Sequence, residues 1–267
     1  MKHVRELEED RSLQKYHRKA ERIDKRDRVI LKNEEERAVF EEVFDRQTLM
    51  ILYDLANADA FSYLNGVISS GKEARVYQGV RSDGKDVAVK IYLVASSDYK
   101  RRLQYVQGDP RFAKIRKDSR GIAELWARKE FINLKQCIDA GLDVPTPFYF
   151  KGNVVVMEFI GENHVPAPLL MDTDVTKDDY LKLTHFMKSL FVDAELVHSD
   201  FSEYNIMKLG ERIIVFDFGS AVSKKHPLAE EFLKRDVSNI NRFFQKRGVK
   251  TMNDEKLLRQ IGVPPEN

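Results

Sequence analysis

The sequence predicts an α+β protein in two parts, a small antiparallel-sheet half and a mostly helical half, preceded by a charged helical extension. Three observations carry this. Residues 61–93 read as a strand meander. Phe61, Tyr63, Val67 and Ile68 form the first run, residues 74–80 the second and 86–92 the third, and Ser82-Asp83-Gly84-Lys85 supplies Asp-Gly turn chemistry between the last two. Residues 180–196 and 232–246 read as helices, the latter with Leu233, Val237, Ile240 and Phe244 at core spacing. Between them, two short apolar runs, 206–209 and 213–216, flank Gly210-Glu211 as a hairpin. The expected division is an extension over 1–47, a sheet-rich part over 48–160 and a helical part over 161–267.

Composition bounds the partners. Of 267 residues, 42% are hydrophobic and 33% charged, with a net charge of +2, too near zero to point by itself to nucleic acid. The lone Cys137 permits no internal disulfide and no thiolate zinc site, and a buried apolar role suits it. No apolar run approaches the roughly 20 residues of a membrane span, and the N-terminus is charged from Lys2 onward without a signal-peptide core. A cytoplasmic protein without membrane contact is expected.

In chain order, residues 1–47 mix opposite charges at helical spacing, as in Glu8-Glu9-Asp10-Arg11, and suit a solvated helix. Thr48 is the expected N-cap of a helix running through Leu49, Ile51, Leu52 and Leu55. Ser69-Ser70-Gly71-Lys72-Glu73 links the first two strands; with one glycine it is no Walker loop, yet its hydroxyls, amides and Lys72 suit phosphate. The third strand carries Val87-Ala88-Val89-Lys90. Residues 98–120 combine Lys100, Arg101, Arg102, Arg111, Lys114, Arg116, Lys117 and Arg120 with Tyr99, Tyr105 and Phe112; an RNA-facing loop and a solvated, partly disordered insert are equally good readings. Residues 122–140 read as a helix closed by Gly141, and Glu130, ahead of Glu124, is its candidate partner for Lys90. Residues 154–159 read as a buried strand, ending in Met157-Glu158-Phe159-Ile160.

The chemistry concentrates at the predicted hairpin. Asp200 and Asn205 precede its first strand and Asp217 follows its second, so its open end gathers two carboxylates and an amide. These are hard oxygen ligands, suited to Mg²⁺ beside phosphates. His198-x-Asp200-x-x-x-x-Asn205, then Asp217-Phe218-Gly219, matches the catalytic and metal loops of protein kinases. In that chemistry Asp200 orients or deprotonates the attacking hydroxyl, Asn205 and Asp217 hold metal, Lys90 clamps phosphates, and the backbone at Glu158 and Ile160 reads the adenine edge. The fold is then two-lobed and protein-kinase-like.

Several further stretches occur in order over roughly residues 48–250: Ile68-Ser69-Ser70-Gly71-Lys72-Glu73-Ala74, Val89-Lys90-Ile91-Tyr92, Met157-Glu158-Phe159-Ile160-Gly161, Val165-Pro166-Ala167-Pro168-Leu169-Leu170, residues 196–205, and His226-Pro227 with residues 231–236. In these the chain resembles the RIO kinases, most closely their type-one branch and its archaeal members. The resemblance implies ATP with Mg²⁺ or Mn²⁺, Lys90 on phosphate, Asp200 as base, and Asn205 and Asp217 on metal. It implies serine autophosphorylation, protein substrates, a role in maturing the small ribosomal subunit with its RNA, and an ATPase branch through a phospho-aspartate matching Asp217. Phe218 and Gly219 depart from the usual type-one pattern. Ser199 replaces the common loop arginine, and no Ala-Pro-Glu segment follows Gly219. A small-molecule phosphotransferase and a nucleotide-sensing scaffold are the competing readings.

Overall fold

A computed structural model describes residues 44–94, 103–112, 116 and 118–264; residues 1–43 of the extension expected over 1–47, and Lys100, Arg101, Arg102, Lys114 and Lys117, lie outside the described residues. The first element is helix α1 (Arg46–Asn57). Its cap is Asp45 rather than Thr48: the Asp45 carboxylate accepts from the Gln47 and Thr48 amides at 3.0 and 3.1 Å. The Thr48 hydroxyl, which the sequence pattern assigns to capping, is buried and donates to Asp45 Oδ2 at 2.9 Å. A carboxylate at the N-terminus satisfies amides and complements the helix dipole at once.

Strands β1 (Tyr63–Ser70), β2 (Ala74–Val80), β3 (Asp86–Tyr92), β4 (Pro147–Lys151) and β5 (Val154–Glu158) build one antiparallel sheet in the order β1-β2-β3-β5-β4. Strand alternation sorts its faces. Val87, Val89 and Ile91 of β3, with Val154 and Val156 of β5, pack against Leu52 and Leu55 of α1. Ala88, Lys90 and Tyr92 therefore face the other way. That face meets helix α2 (Ser119–Asp139), whose Trp126, Ala127, Leu134 and Cys137 belong to the larger core. Gly141 follows α2 at φ 75°, the left-handed conformation expected of a helix stop.

The rest is mostly helical. After the short ribbon β6 (Gly161–Glu162) and β7 (Val165–Pro166) comes α3 (Lys177–Val192), closed at its start by a Thr176–Asp179 capping box. The sequence pattern carries this helix to 196, but it stops at Val192, because β8 (Leu196–Val197) pairs with β11 (Val222–Ser223). The hairpin β9 (Ile206–Leu209) and β10 (Arg212–Val215) turns at Gly210-Glu211 as expected. Helices α4 (Ala229–Lys246) and α5 (Asp254–Ile261) pack with α3 through Tyr180, Leu183, Val237, Ile240, Phe244, Leu257 and Ile261. This is the expected two-lobed arrangement, small sheet above helical body. Among the described residues no helix is long and apolar enough to cross a membrane.

Residues 103–112 are not a solvated insert. Val106 and Phe112 are buried in the larger core, Tyr105 packs on Phe232 at 5.2 Å between centroids, and Arg111 donates to Asn133 and Gln136 of α2 at 3.0 Å. Arg111 also pairs with Asp109, Arg116 with Asp118, and Arg120 with Asp45. The described arginines of this basic segment are thus engaged within the chain.

Candidate active site

A cleft of about 470 Å³ separates the sheet from the helical body. Ile68, Ser69, Gly71, Lys72 and Glu73 form its roof, Ala88, Lys90 and Tyr92 its back, Met157, Glu158 and Ile160 its inner edge, and Asn205 and Asp217 its floor. Two expected residues stand off this wall. Ser70 follows Ser69 in an extended strand, where neighbouring side chains alternate faces. Asp200 is exposed at the mouth, held by Asn205, whose Nδ2 donates to Asp200 Oδ2 at 3.0 Å and to its carbonyl at 2.8 Å.

Lys90 lies at the centre. Its Nζ donates to Glu130 Oε1 at 2.7 Å and to Asp217 Oδ1 at 2.9 Å, joining β3, α2 and the segment after β10. Glu130 is thus the partner, and Tyr92 donates its hydroxyl to the other Glu130 oxygen at 2.7 Å. Burial acts against the Lys90 ammonium, but the Asp217 and Glu130 charges outweigh it and keep it protonated. Burial likewise opposes ionisation of Asp217, and the adjacent ammonium wins, holding it below the usual carboxylate range. Glu130 goes the other way: withdrawal from water dominates and raises it. Asp200 is also raised, first because protein surrounds this mouth of the cleft even where water touches the carboxyl, then by the Asp217 charge.

The stretch from Glu158 to Ile160 offers complementary main-chain groups. The Glu158 N–H donates to the Thr146 carbonyl at 2.8 Å and the Ile160 carbonyl accepts from the Ala167 amide at 2.9 Å, so the groups expected to meet a base are the Glu158 carbonyl and the Ile160 N–H. One acceptor and one donor two residues apart are what an aminopurine edge requires. Lys90 thus faces two carboxylates, Glu130 and Asp217. Among the described residues no three His, Cys, Asp or Glu side chains form a metal cage. A cation bound by Asn205 and Asp217 must complete its shell with phosphate and water, the habit of Mg²⁺. The donor set fits it.

The backbone is bent into place. Ser199 and Asp217 have φ of 68° and 64°, unusual for residues with a side chain and found where surroundings over-determine the chain. At Ser199 the determinant is Asp236 of α4, 1% exposed, whose oxygens accept from the Ser199 and Phe201 amides at 2.8 and 3.0 Å. His198 is buried, donates Nε2–H to the Phe216 carbonyl at 3.0 Å, and is held neutral by burial, its pKa lowered to about 4. Sequence reasoning missed Asp236 as a functional residue. Its one signal is a carboxylate three residues after Leu233, on the apolar face of α4.

Burial pushes Asp236 up to about 7, against the pull of the two amides. The folded chain therefore holds this proton between about pH 4 and 7, where an unfolded aspartate has released it. More protons on the folded state means that this contribution to stability declines as pH rises through that window and is flat above it. Asn at this position has no proton to lose. The stability of wild type minus Asp236→Asn, from urea unfolding, should fall by a few kcal/mol from pH 4.5 to 7.5. A difference independent of pH would mean that Asp236 is ionised throughout.

Comparison with known proteins adds the lineage. The RIO-domain family model matches residues 75–257. The chain is 40% identical over 211 residues to the RIO-type serine/threonine-protein kinase Rio1 of Methanocaldococcus jannaschii, covering 78% of this chain and 72% of that protein. It is 38% identical over 229 residues to the Rio1 kinase of Haloferax volcanii, covering 85% and 79%. The chain belongs to the RIO family. Other relatives in this family are longer: the match to the serine/threonine-protein kinase rio1 of Dictyostelium discoideum, 35% identical, spans 94% of this chain but 45% of that one. Among solved structures, the Rio2 kinase from Chaetomium thermophilum shares the fold, with a TM-score of 0.61 at 24% identity over 80% of this chain and 67% of that chain. The same protein's ADP/Mg²⁺-phosphoaspartate complex gives a TM-score of 0.59 at 24% identity, over 80% and 66%.

Proposed function

We propose that this RIO-family chain binds ATP with Mg²⁺ or Mn²⁺ between lobes spanning 48–160 and 161–267 and transfers the γ-phosphoryl group to serine or threonine hydroxyls of proteins, itself included. The observation that carries this is the Lys90 ammonium, held at 2.7 Å from Glu130 and 2.9 Å from Asp217 inside the cleft. Glu130 keeps Lys90 extended to meet phosphate. Asn205 and Asp217 would hold the cation, which would supply positive charge to the phosphates. Asp200 orients the attacking hydroxyl and takes its proton; its raised pKa suits a base that must also release it. Hydrolysis of ATP through a phospho-aspartate is the second activity proposed, with Asp217 as nucleophile, because its carboxylate is kept ionised beside the phosphate-binding lysine. Incubation with γ-labelled ATP, Mg²⁺ and a protein acceptor tests the reading. Label on protein serine or threonine is expected; label passing only to small alcohols would replace it with a small-molecule phosphotransferase.

The proposed setting is the cytoplasm, on the immature small ribosomal subunit, with its RNA met by the basic segment 98–120. Support is confined to that segment's charge, since its described arginines are engaged internally. If it binds RNA, affinity falls steeply with salt, and charge reversal of Arg101, Arg102, Arg116 and Lys117 flattens the slope of log affinity against log salt by about 3 to 4. An unchanged slope removes the segment from the interface.

A further inference from the structure

Helix α2 touches the site at two places. Glu130 reaches Lys90. Lys129 and Asn133, four residues apart and so on one face, reach the main chain that follows Asp217. Lys129 Nζ donates to the carbonyl of Gly219 at 3.1 Å and to that of Ala221. Asn133 Nδ2 donates to the carbonyls of Phe218 at 2.9 Å and Ala221 at 3.0 Å. One turn of helix thus holds three carbonyls within four residues of the segment.

Lys129 is wholly buried, with the Trp126 and Phe112 rings 5.4 and 6.0 Å away. An ammonium withdrawn from water is costly, and an aliphatic side chain would pack at this position without that cost. What an aliphatic side chain cannot do is hold carbonyls. Asn133 is oriented from behind: its Oδ1 accepts from Arg111 at 3.0 Å, which turns its amino group toward Phe218. Tyr92, bonded to Glu130, closes the arrangement from the sheet side. A Cβ at Gly219 would lie 2.7 Å from the Tyr92 hydroxyl, so the segment approaches this closely only because residue 219 is glycine.

We propose that Lys129 and Asn133 are positioning residues: they fasten the segment after Asp217 to the helix that carries Glu130, so that the Lys90–Glu130 pair and the Asp217 carboxylate keep one relative position instead of moving independently. The role rests on the phosphoryl-transfer reading above. It gives Phe218 and Gly219 a use. Phe218 is buried against His198 at 4.7 Å between centroids and presents its carbonyl to Asn133, while Gly219 admits Tyr92.

Hydrogen exchange on the full chain tests this, with adenosine and Mg²⁺–ATP titrations on the same preparations. In Lys129→Met and in Asn133→Leu, amides over 217–222 are expected to exchange about tenfold faster than in wild type, with those of β2 and β3 unchanged. The Mg²⁺ needed for half-maximal ATP binding rises about tenfold in both, and adenosine affinity stays put. Asn133→Leu leaves both Lys129 bonds in place, so it decides the matter should Lys129→Met fail to fold. Unchanged exchange, or faster exchange with an unchanged Mg²⁺ requirement, overturns the proposal. If wild type binds ATP without regard to metal, the phosphoryl-transfer reading fails instead, and exchange alone judges the fastening.

Discussion

Asp200→Ala is expected to lower phosphoryl transfer to serine by about 10²- to 10⁴-fold, the usual contribution of a positioned base. Metal-dependent ATP binding should change little, because Lys90, Asn205 and Asp217 remain. The fold should survive as well. Asp200 is exposed, Asn205 loses one of its two bonds to it and keeps the carbonyl at 2.8 Å, and the loop is held independently through Asp236. Single-turnover transfer from labelled ATP, beside a binding isotherm, separates the two effects. The same variant divides the two proposed activities. Phosphate trapped on Asp217 needs no hydroxyl to be deprotonated, so hydroxylamine-labile label should persist in Asp200→Ala. If all label is hydroxylamine-resistant and the variant loses every turnover, the phospho-aspartate branch fails and serine transfer alone stands.

Lys90→Ala should weaken ATP far more than adenosine, since adenosine has no phosphates for an ammonium to meet. A charge-assisted contact to phosphate is worth about 1.5–3 kcal/mol, or roughly ten- to a hundredfold in ATP affinity. Stability is also expected to drop, because Glu130 is 1% exposed and loses its counter-charge. Removing one partner of a buried pair costs about 3–5 kcal/mol. Withdrawal from water raises Glu130, so once its counter-charge is gone the carboxyl can take up a proton, which places the loss at the low end. Lys90→Ala with Glu130→Gln should recover part of the stability and none of the ATP affinity. Calorimetry with both ligands and a melting curve for each variant decide this. Equal losses for ATP and adenosine would make Lys90 a structural strand residue.

The features legible in the residues alone are those that short-range chemistry sets. The strands at 74–80 and 86–92 are found with the expected ends, because alternation and an Asp-Gly turn are local properties. The 206–215 hairpin follows for the same reason, and with it the placing of Asn205 and Asp217 on one floor. Lys90 was legible as a charge among alternating valines, and Glu130 as an acid on the next helix. The rest depends on contacts between distant segments. Lys129 and Asp236 are both buried, because partners about 90 and 35 residues away cover them. Arg111 reads as part of a basic loop and is spent on Asn133, again across the fold. Thr48 is a competent cap residue displaced by Asp45, whose carboxylate reaches two amides. Periodicity reports which face of an element is apolar. Whether a polar group on that face meets water or a carbonyl depends on what a distant segment brings to it.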